Sequence, residues 1–320
     1  MKILIKSRKT VIIGTGFVGS SAAYSIVNKE ICDELVLIDV NAEKAKGEAL
    51  DLSHCADFLN SRVKIKAGEY EDCKDADIVV ITAGAAQKPG QTRLDLLESN
   101  MIIMKVIVSN IMNSGFDGLL LVASNPADVI SYIVWKLSGL PKNRVIGTGT
   151  SLDSSRLKVN LSDIFNVDPR SINGFTLGEH GDSQFVPWSS ITIGTKSILE
   201  IMKEDQQSFK GVNLDDIENQ VRKAAYEIIE KKGSTYYGIG AAIAGVVRSI
   251  FNDEHSVRTV STLLQGEYGH QDIFTSVPAV LTSEGVKEII QLNLNDEEKE
   301  KFSHSCKVLK QNLNSLKLSS

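Results

Sequence analysis

Val11-Ile12-Ile13-Gly14-Thr15-Gly16-Phe17-Val18-Gly19 decides how this chain folds. Three apolar β-branched residues run straight into glycines at 14, 16 and 19, and Ala22, Ala23 and Ile26 follow at helical spacing. An unbroken apolar run is what a strand buried on both faces of a parallel sheet shows. The glycines then permit a tight turn, a close approach of backbone to a pyrophosphate, and close packing of helix on strand. Free N–H groups at the start of that helix suit the phosphates. Working outward, Leu35-Val36-Leu37-Ile38 is a second such run, and Asp39 closes it 20 residues past Gly19. An acid there can accept from adenosine ribose hydroxyls and repels a 2′-phosphate, so NAD is expected rather than NADP. The expected cofactor contacts of this half are Gly14, Gly16, Phe17, Val18, Gly19, Asp39 and Gly84. The alternative is a glycine-rich turn of the same fold that holds no cofactor; strand, glycines, helix, strand and acid in that order favour the first reading.

The same alternation continues. Ile78-Val79-Val80-Ile81 and Leu119-Leu120-Leu121-Val122 read as further buried strands, and Leu94, Leu97, Met101, Met104 and Val108 mark one helix face between them. Strand and helix in alternation predict an α/β fold, a Rossmann-type doubly wound parallel sheet. After Gly147-Thr148-Gly149 the pattern changes to a helix from about Ser151, an irregular glycine-containing stretch, strand-like Ile191-Thr192-Ile193 and long helices. One of these is marked by Val221, Ala225, Ile228 and Ile229, and the last by Phe302, Cys306, Leu309, Leu313 and Leu316, a stripe read as packing on its own domain. The chain is therefore divided into a dinucleotide-binding domain, 1–147, and an α+β substrate-binding and catalytic domain, 148–320.

Bulk properties agree with a soluble enzyme. The 320 residues exceed what one core usually serves. A formal charge of −5 argues against a general nucleic-acid binder. With 42% apolar and 23% charged residues, disorder is excluded, and no run is long enough to span a bilayer. Cys32, Cys55, Cys73 and Cys306 form no C-x-x-C pair, and the first ten residues hold no secretory core. A reduced, cytoplasmic protein without a metal is expected.

Candidate chemistry gathers where strands end. Residues 84–93 form a glycine-flanked loop that could close as a lid, carrying Gln87 and Arg93, and Ser124-Asn125-Pro126 follows the 119–122 strand. Taken singly, each could be an ordinary loop: a surface arginine, a turn-forming Asn-Pro. In the second half Asp153 and Arg156 share a helix face, and Gly178-Glu179-His180-Gly181-Asp182 sets a histidine between glycines, where core packing explains it poorly. Together they meet the needs of hydride transfer to and from a 2-hydroxy acid. His180 would carry the proton, Asp153 would orient and charge-balance the imidazole, and Arg156 would clamp the substrate carboxylate in bidentate fashion. Arg93, brought in by the lid, would polarise the carbonyl.

These motifs, with Thr82-Ala83-Gly84-Ala85-Ala86-Gln87-Lys88-Pro89-Gly90-Gln91-Thr92-Arg93 and Gly147-Thr148-Gly149-Thr150-Ser151-Leu152-Asp153-Ser154-Ser155-Arg156 the most specific, resemble the L-lactate and malate dehydrogenase family over nearly the whole chain, its bacterial lactate branch most of all. The resemblance implies the roles just given for His180, Asp153, Arg156 and Arg93. It further implies that Asn125 contacts substrate and nicotinamide, that Thr235 lines the substrate pocket and that Ile239 lies against the nicotinamide ring. A tetramer of identical chains is typical of the family. Gln87 stands where that family has glutamine for pyruvate and lactate and arginine for malate. At the family's fructose 1,6-bisphosphate positions Lys158 and Asn173 replace an arginine and a histidine, so activation is expected to be weak or absent. Enzymes for malate or bulkier 2-hydroxy acids, and a non-catalytic nucleotide-binding protein, remain as alternative readings. A neutral amide at Gln87 leaves a second substrate carboxylate unpaired in a closing site. Gln87→Arg should therefore shift the ratio of kcat/KM for oxaloacetate over pyruvate upward, and an unchanged ratio would remove Gln87 from substrate selection.

Overall fold

The structure, a computed structural model, describes residues 7–85 and 93–316; Gln87 and the rest of residues 86–92 lie outside the described residues. The first half runs β1 (Lys9–Ile13), α1 (Phe17–Asn28), β2 (Glu34–Ile38), α2 (Ala42–Ser53), β3 (Lys64–Ala67), β4 (Ile78–Ile81), α3 (Arg93–Asn113), β5 (Leu119–Val122), α4 (Ala127–Ser138) and β6 (Val145–Gly147). The second half begins with α5 (Ser151–Phe165), β7 (Ile172–Asn173), β8 (Thr192–Ile193), β9 (Lys196–Ser197), α6 (Ile198–Glu204) and α7 (Leu214–Lys232). It ends with α8 (Tyr237–Phe251), β10 (Ser256–Gln265), β11 (Gln271–Thr282), β12 (Gly285–Ile289) and α9 (Asp296–Ser315).

Six parallel strands lie in the order β3-β2-β1-β4-β5-β6, the doubly wound sheet expected from the alternation. The apolar runs are buried on both faces, which is why they do not alternate. Strand order reverses between β1 and β4, and ligands of such sheets bind outside the carboxyl ends at that crevice. The glycine loop opens there. Gly14 donates its N–H to the Ile38 carbonyl at 2.8 Å, and Thr82 donates to Ile13 at 2.9 Å.

The sheet does not stop at β6. Ser261 of β10 pairs antiparallel with Gly147, and β11 and β12 extend the order to nine strands, while β7, β8 and β9 form a separate small sheet. Apolar clusters on the two faces of the large sheet both draw on residues from either side of position 147. A third cluster, around Leu157, Leu161, Ile172, Ile191 and Val221, belongs to the second half alone. Phe302, Cys306 and Leu309 of α9 are buried with Phe185 and Phe274, so the C-terminal stripe packs within the chain. The α7 stripe is only half covered: Val221 is buried, whereas Ile229 is 45% exposed. β3, β6, β7, β9 and the strands β10 to β12 are absent from the sequence reading. Pro278 stands inside β11, a residue that argues against an interior strand. Here its carbonyl still accepts from Ile290 N at 2.8 Å.

Helix α8 packs on α1 at a glycine. A Cβ on Gly240 would stand 2.8 Å from the carbonyl carbon of Ser21 and 3.0 Å from the backbone nitrogen of Ala22, atoms that cannot swing aside. Gly240→Val should therefore cost about 1–3 kcal/mol through overpacking, more than the few tenths by which valine surpasses glycine in helix propensity. A urea midpoint equal to that of the parent would show that the two helices part without cost.

Candidate active site

The glycine loop has the geometry of a phosphate cradle. Gly14 has φ +100°, and a Cβ there would stand 2.6 Å from Ala83 N; one on Gly19 would overlap the Gly14 carbonyl. Gly16 caps α1, and among the described residues no side-chain cap bonds the N–H groups of its first turn. Phe17 is 69% exposed at the mouth. Asp39 follows β2 directly, and its Oδ2 accepts from Thr15 N at 2.6 Å and Thr15 Oγ1 at 2.9 Å, while Oδ1 accepts from Asn41 N at 2.9 Å. Burial alone would raise its pKa, but these donors outweigh burial and hold it below the ordinary value. A carboxylate with about four acceptor sites keeps capacity for a ribose hydroxyl. The cradle and the charged acid fit a dinucleotide.

The loops after β4 and β5 are tied together by a residue that sequence reading missed. Buried Asn100 of α3 accepts from Ala85 N at 2.7 Å and donates to the Asn125 carbonyl at 2.9 Å. Ser124 Oγ donates to the Ala83 carbonyl at 2.6 Å. Gly84 lies beside this staple, since a Cβ on it would stand 3.3 Å from Asn100 Oδ1. Asn125 is exposed just past the end of β5, and Pro126 caps α4. Arg93 opens α3.

In the second half three expected residues meet. Asp153, in the first turn of α5 and 1% exposed, receives His180 Nδ1 at 2.6 Å on Oδ2 and Arg156 Nη1 at 2.9 Å on Oδ1. The Asp153–Arg156 pair is thus not a surface ion pair. The imidazole retains 26% exposure and is reachable from solvent. Its loop is pinned by four backbone contacts. Gly178 exchanges hydrogen bonds with Ser276 of β11 at 3.0 Å, Glu179 N donates to Ser305 Oγ at 2.7 Å, and His180 N donates to Asp128 Oδ2 at 2.7 Å. The flanking glycines follow from crowding. A Cβ on Gly178 would stand 2.5 Å from Ser305 Oγ, and one on Gly181 would stand 2.8 Å from the Glu179 carboxyl carbon.

The electrostatics favour a charged pair. Burial works to lower the His180 pKa, but the charge and hydrogen bond of Asp153 overcome it, so the imidazolium persists above its ordinary range. Burial likewise works to raise the Asp153 pKa, and His180 and Arg156 together hold it below the usual value. Asp128, buried and also unforeseen from sequence, is pushed up by burial to about 6.

Thr235 sits half-buried between α7 and α8, and its neighbour Tyr236 stacks on Phe17 with ring centroids 5.1 Å apart. That stack sets the Thr235 loop against the glycine loop. Ile239, in the first turn of α8, packs on the same apolar cluster as Val18 and Ala123. Lys158 Nζ lies over the Phe175 ring at 5.6 Å, and the Asn173 amide donates to the Gly194 carbonyl at 3.2 Å. Among the described residues no group of three histidines, cysteines or acids could hold a metal.

Comparison with known proteins accounts for this arrangement. The NAD binding domain of lactate/malate dehydrogenase matches residues 8–147, and the α/β C-terminal domain of the same family matches residues 150–318. The chain belongs to the lactate/malate dehydrogenase family. L-lactate dehydrogenase 3 of Bacillus thuringiensis is 59% identical over 304 residues, covering 95% of this chain and 96% of that protein. L-lactate dehydrogenase 2 of Bacillus cereus is 53% identical over 305 residues, 95% and 97% of the two chains. Among solved structures, the ligand-bound minor L-lactate dehydrogenase of Enterococcus mundtii superposes with a TM-score of 0.95 at 48% identity, covering 98% of this chain and 99% of that one. The L-lactate dehydrogenase of Clostridium thermocellum superposes at 0.85 with 41% identity, covering 97% and 99%. As the N-terminal half is the family's NAD binding domain, the cofactor is NAD.

Asp153→Asn preserves shape but removes the charge facing the imidazole. With His180 as the proton donor expected from the sequence, the alkaline limb of kcat/KM for 2-oxo acid reduction should move to lower pH. kcat should also fall by about 10²- to 10⁴-fold, the range of general acid–base catalysis. An unmoved limb in steady-state NADH assays would mean that Asp153 does not set the protonation of His180.

Proposed function

We propose that the chain is an NAD-dependent L-lactate dehydrogenase that interconverts pyruvate and (S)-lactate. The observation that carries this reading is the unbroken contact from His180 through Asp153 to Arg156, a proton carrier and a carboxylate-binding cation held by one buried acid. The names of the similar bacterial proteins point the same way.

NAD, when bound along the glycine loop, supplies the hydride donor or acceptor. The chain's own residues do the rest. Arg156 spends only Nη1 on Asp153 among the described residues, which leaves the remainder of its planar fork for the substrate carboxylate. In reduction His180 gives its proton to the carbonyl oxygen; in oxidation it takes the proton of the hydroxyl. Asp153 keeps Nδ1 protonated, so the exchanging proton is on Nε2. Asn125 would contact substrate and nicotinamide, Thr235 would line the substrate pocket, and Ile239 would lie against the nicotinamide ring when NAD is bound. The roles expected from the sequence for Arg93, polarising the carbonyl, and for Gln87, selecting pyruvate over oxaloacetate, complete the proposal. Residues 1–147 form the cofactor domain and 148–320 the catalytic one, with the site between them.

We further propose a homotetramer in the cytoplasm, where pyruvate reduction would reoxidise NADH in fermentation after glycolysis. The tetramer is carried over from what is typical of the family that the chain resembles. Among the described residues no helix is long and apolar enough to cross a membrane.

A panel of kcat/KM values tests the assignment. Pyruvate should exceed both oxaloacetate and 2-oxoisocaproate by at least about tenfold, since an unpaired carboxylate or an unaccommodated branch costs 1.4 kcal/mol or more. Preference for oxaloacetate would make the chain a malate dehydrogenase, preference for the branched acid an enzyme of bulkier substrates. Binding of NADH without turnover of any of the three would make it non-catalytic.

A further inference from the structure

Asp128 has no part in the roles above, yet it is a fully buried acid beside the proton carrier. It stands in the first turn of α4, three residues after Asn125, where the helix dipole favours a negative charge. Its Oδ2 accepts the His180 backbone N–H at 2.7 Å, and its Oδ1 accepts Ser276 Oγ–H at 3.3 Å. Ser276 Oγ in turn accepts Thr150 N at 3.0 Å, immediately before the helix that carries Asp153. A buried carboxylate costs several kcal/mol of desolvation unless it is paired or hydrogen-bonded, so this acid is expensive to keep unless it serves the site.

Resting on the dehydrogenase reading, we propose that Asp128 is a positioning residue of the reaction: it ties the backbone of His180 to the helix start that follows Asn125, and places a second negative charge behind the imidazole. The tie crosses the junction between the two halves. It sets the proton carrier from the catalytic half in register with the loop of the cofactor half, which carries the substrate-facing amide. Asp153 sets the ring; Asp128 sets the main chain from which the ring hangs.

The groups facing Asp128 are consistent with a charge effect on His180. From its own loop come His180 and Glu179; from α9 comes Cys306, whose thiol burial pushes up to about 12 and so leaves neutral. Asp153 and Arg156 of α5 lie beyond the imidazole. The Asp128 charge adds to that of Asp153 in favouring the imidazolium, against the opposing effects of burial and Arg156.

Two substitutions separate the tie from the charge. Asp128→Asn keeps an oxygen for the His180 N–H and an amide that can donate to Ser276, but removes the charge. It should retain kcat at low pH within a few-fold, while the alkaline limb of pyruvate reduction moves to lower pH. Asp128→Ala also removes the tie. It should lower kcat roughly 10- to 100-fold at every pH, the size of effect expected from a slight misplacement of a catalytic group, with KM for NADH little changed. NMR titration of His180 in the full-length enzyme with 13C-labelled histidine, assigned with His180→Asn, reads the same shift without turnover. It therefore still decides the question if pyruvate proves not to be the substrate. Should Asp128→Ala fail to fold, Asp128→Asn carries the test. Variants that lose thermal stability but keep both the limb and the His180 titration of the parent would overturn the proposal and leave Asp128 a structural residue.

Discussion

A carboxylate withdrawn from water stays charged only where cations and donors meet it, and Asp153 is such a carboxylate. It is held by Arg156 one turn along its own helix and by His180 from a loop that approaches from elsewhere. Everything that brings this loop to α5 is consequently under constraint. The glycines at 178 and 181 allow the backbone past Ser305 and Glu179, β11 anchors it at Ser276, and α4 anchors it at Asp128. Loss of the histidine loop's anchorage would leave the acid to Arg156 alone, at a cost beyond that of the lost contact itself.

The large sheet supplies the rigidity behind that arrangement. Because β10 adds to β6, the two halves share one continuous ladder and both of its apolar faces. The glycine loop after β1 and Ser124-Asn125 after β5 are therefore carried on the same sheet whose strand β11 anchors the histidine loop at Ser276. The close approach of α8 to α1 at Gly240, and the stack of Phe17 on Tyr236, bring the loop of Thr235 to the glycine loop on the other side.

Much of this was legible in one dimension because it rests on local geometry. A strand buried on both faces must be apolar throughout, a loop that cradles phosphate must lack side chains, and an acid must end the next strand. Each leaves its mark within about 30 residues, the span of one βαβ unit. Asp153 and Arg156 were legible as a pair for the same reason, being one helical turn apart. Asn100 and Asp128 were not. Each is an ordinary helix residue in sequence, and each matters through a backbone N–H or carbonyl supplied by a distant loop. The strands β10 to β12 were missed because their partner strands, and the reason a proline can stand among them, come from pairing across the sheet and not from local pattern.

Sequence alone therefore determined the fold class and the dinucleotide loop with its preference for NAD, and it singled out the histidine, aspartate and arginines proposed to suit a 2-hydroxy acid. Only the tertiary structure decided that Asp153 is buried and shared between two cations, that the sheet runs unbroken through residue 147, and that Asp128 holds the histidine's main chain. The division has a physical cause. Residue type and short spacing fix what a group can do chemically, whereas burial, charge balance and anchorage depend on which distant backbone atoms the fold brings within 3 Å.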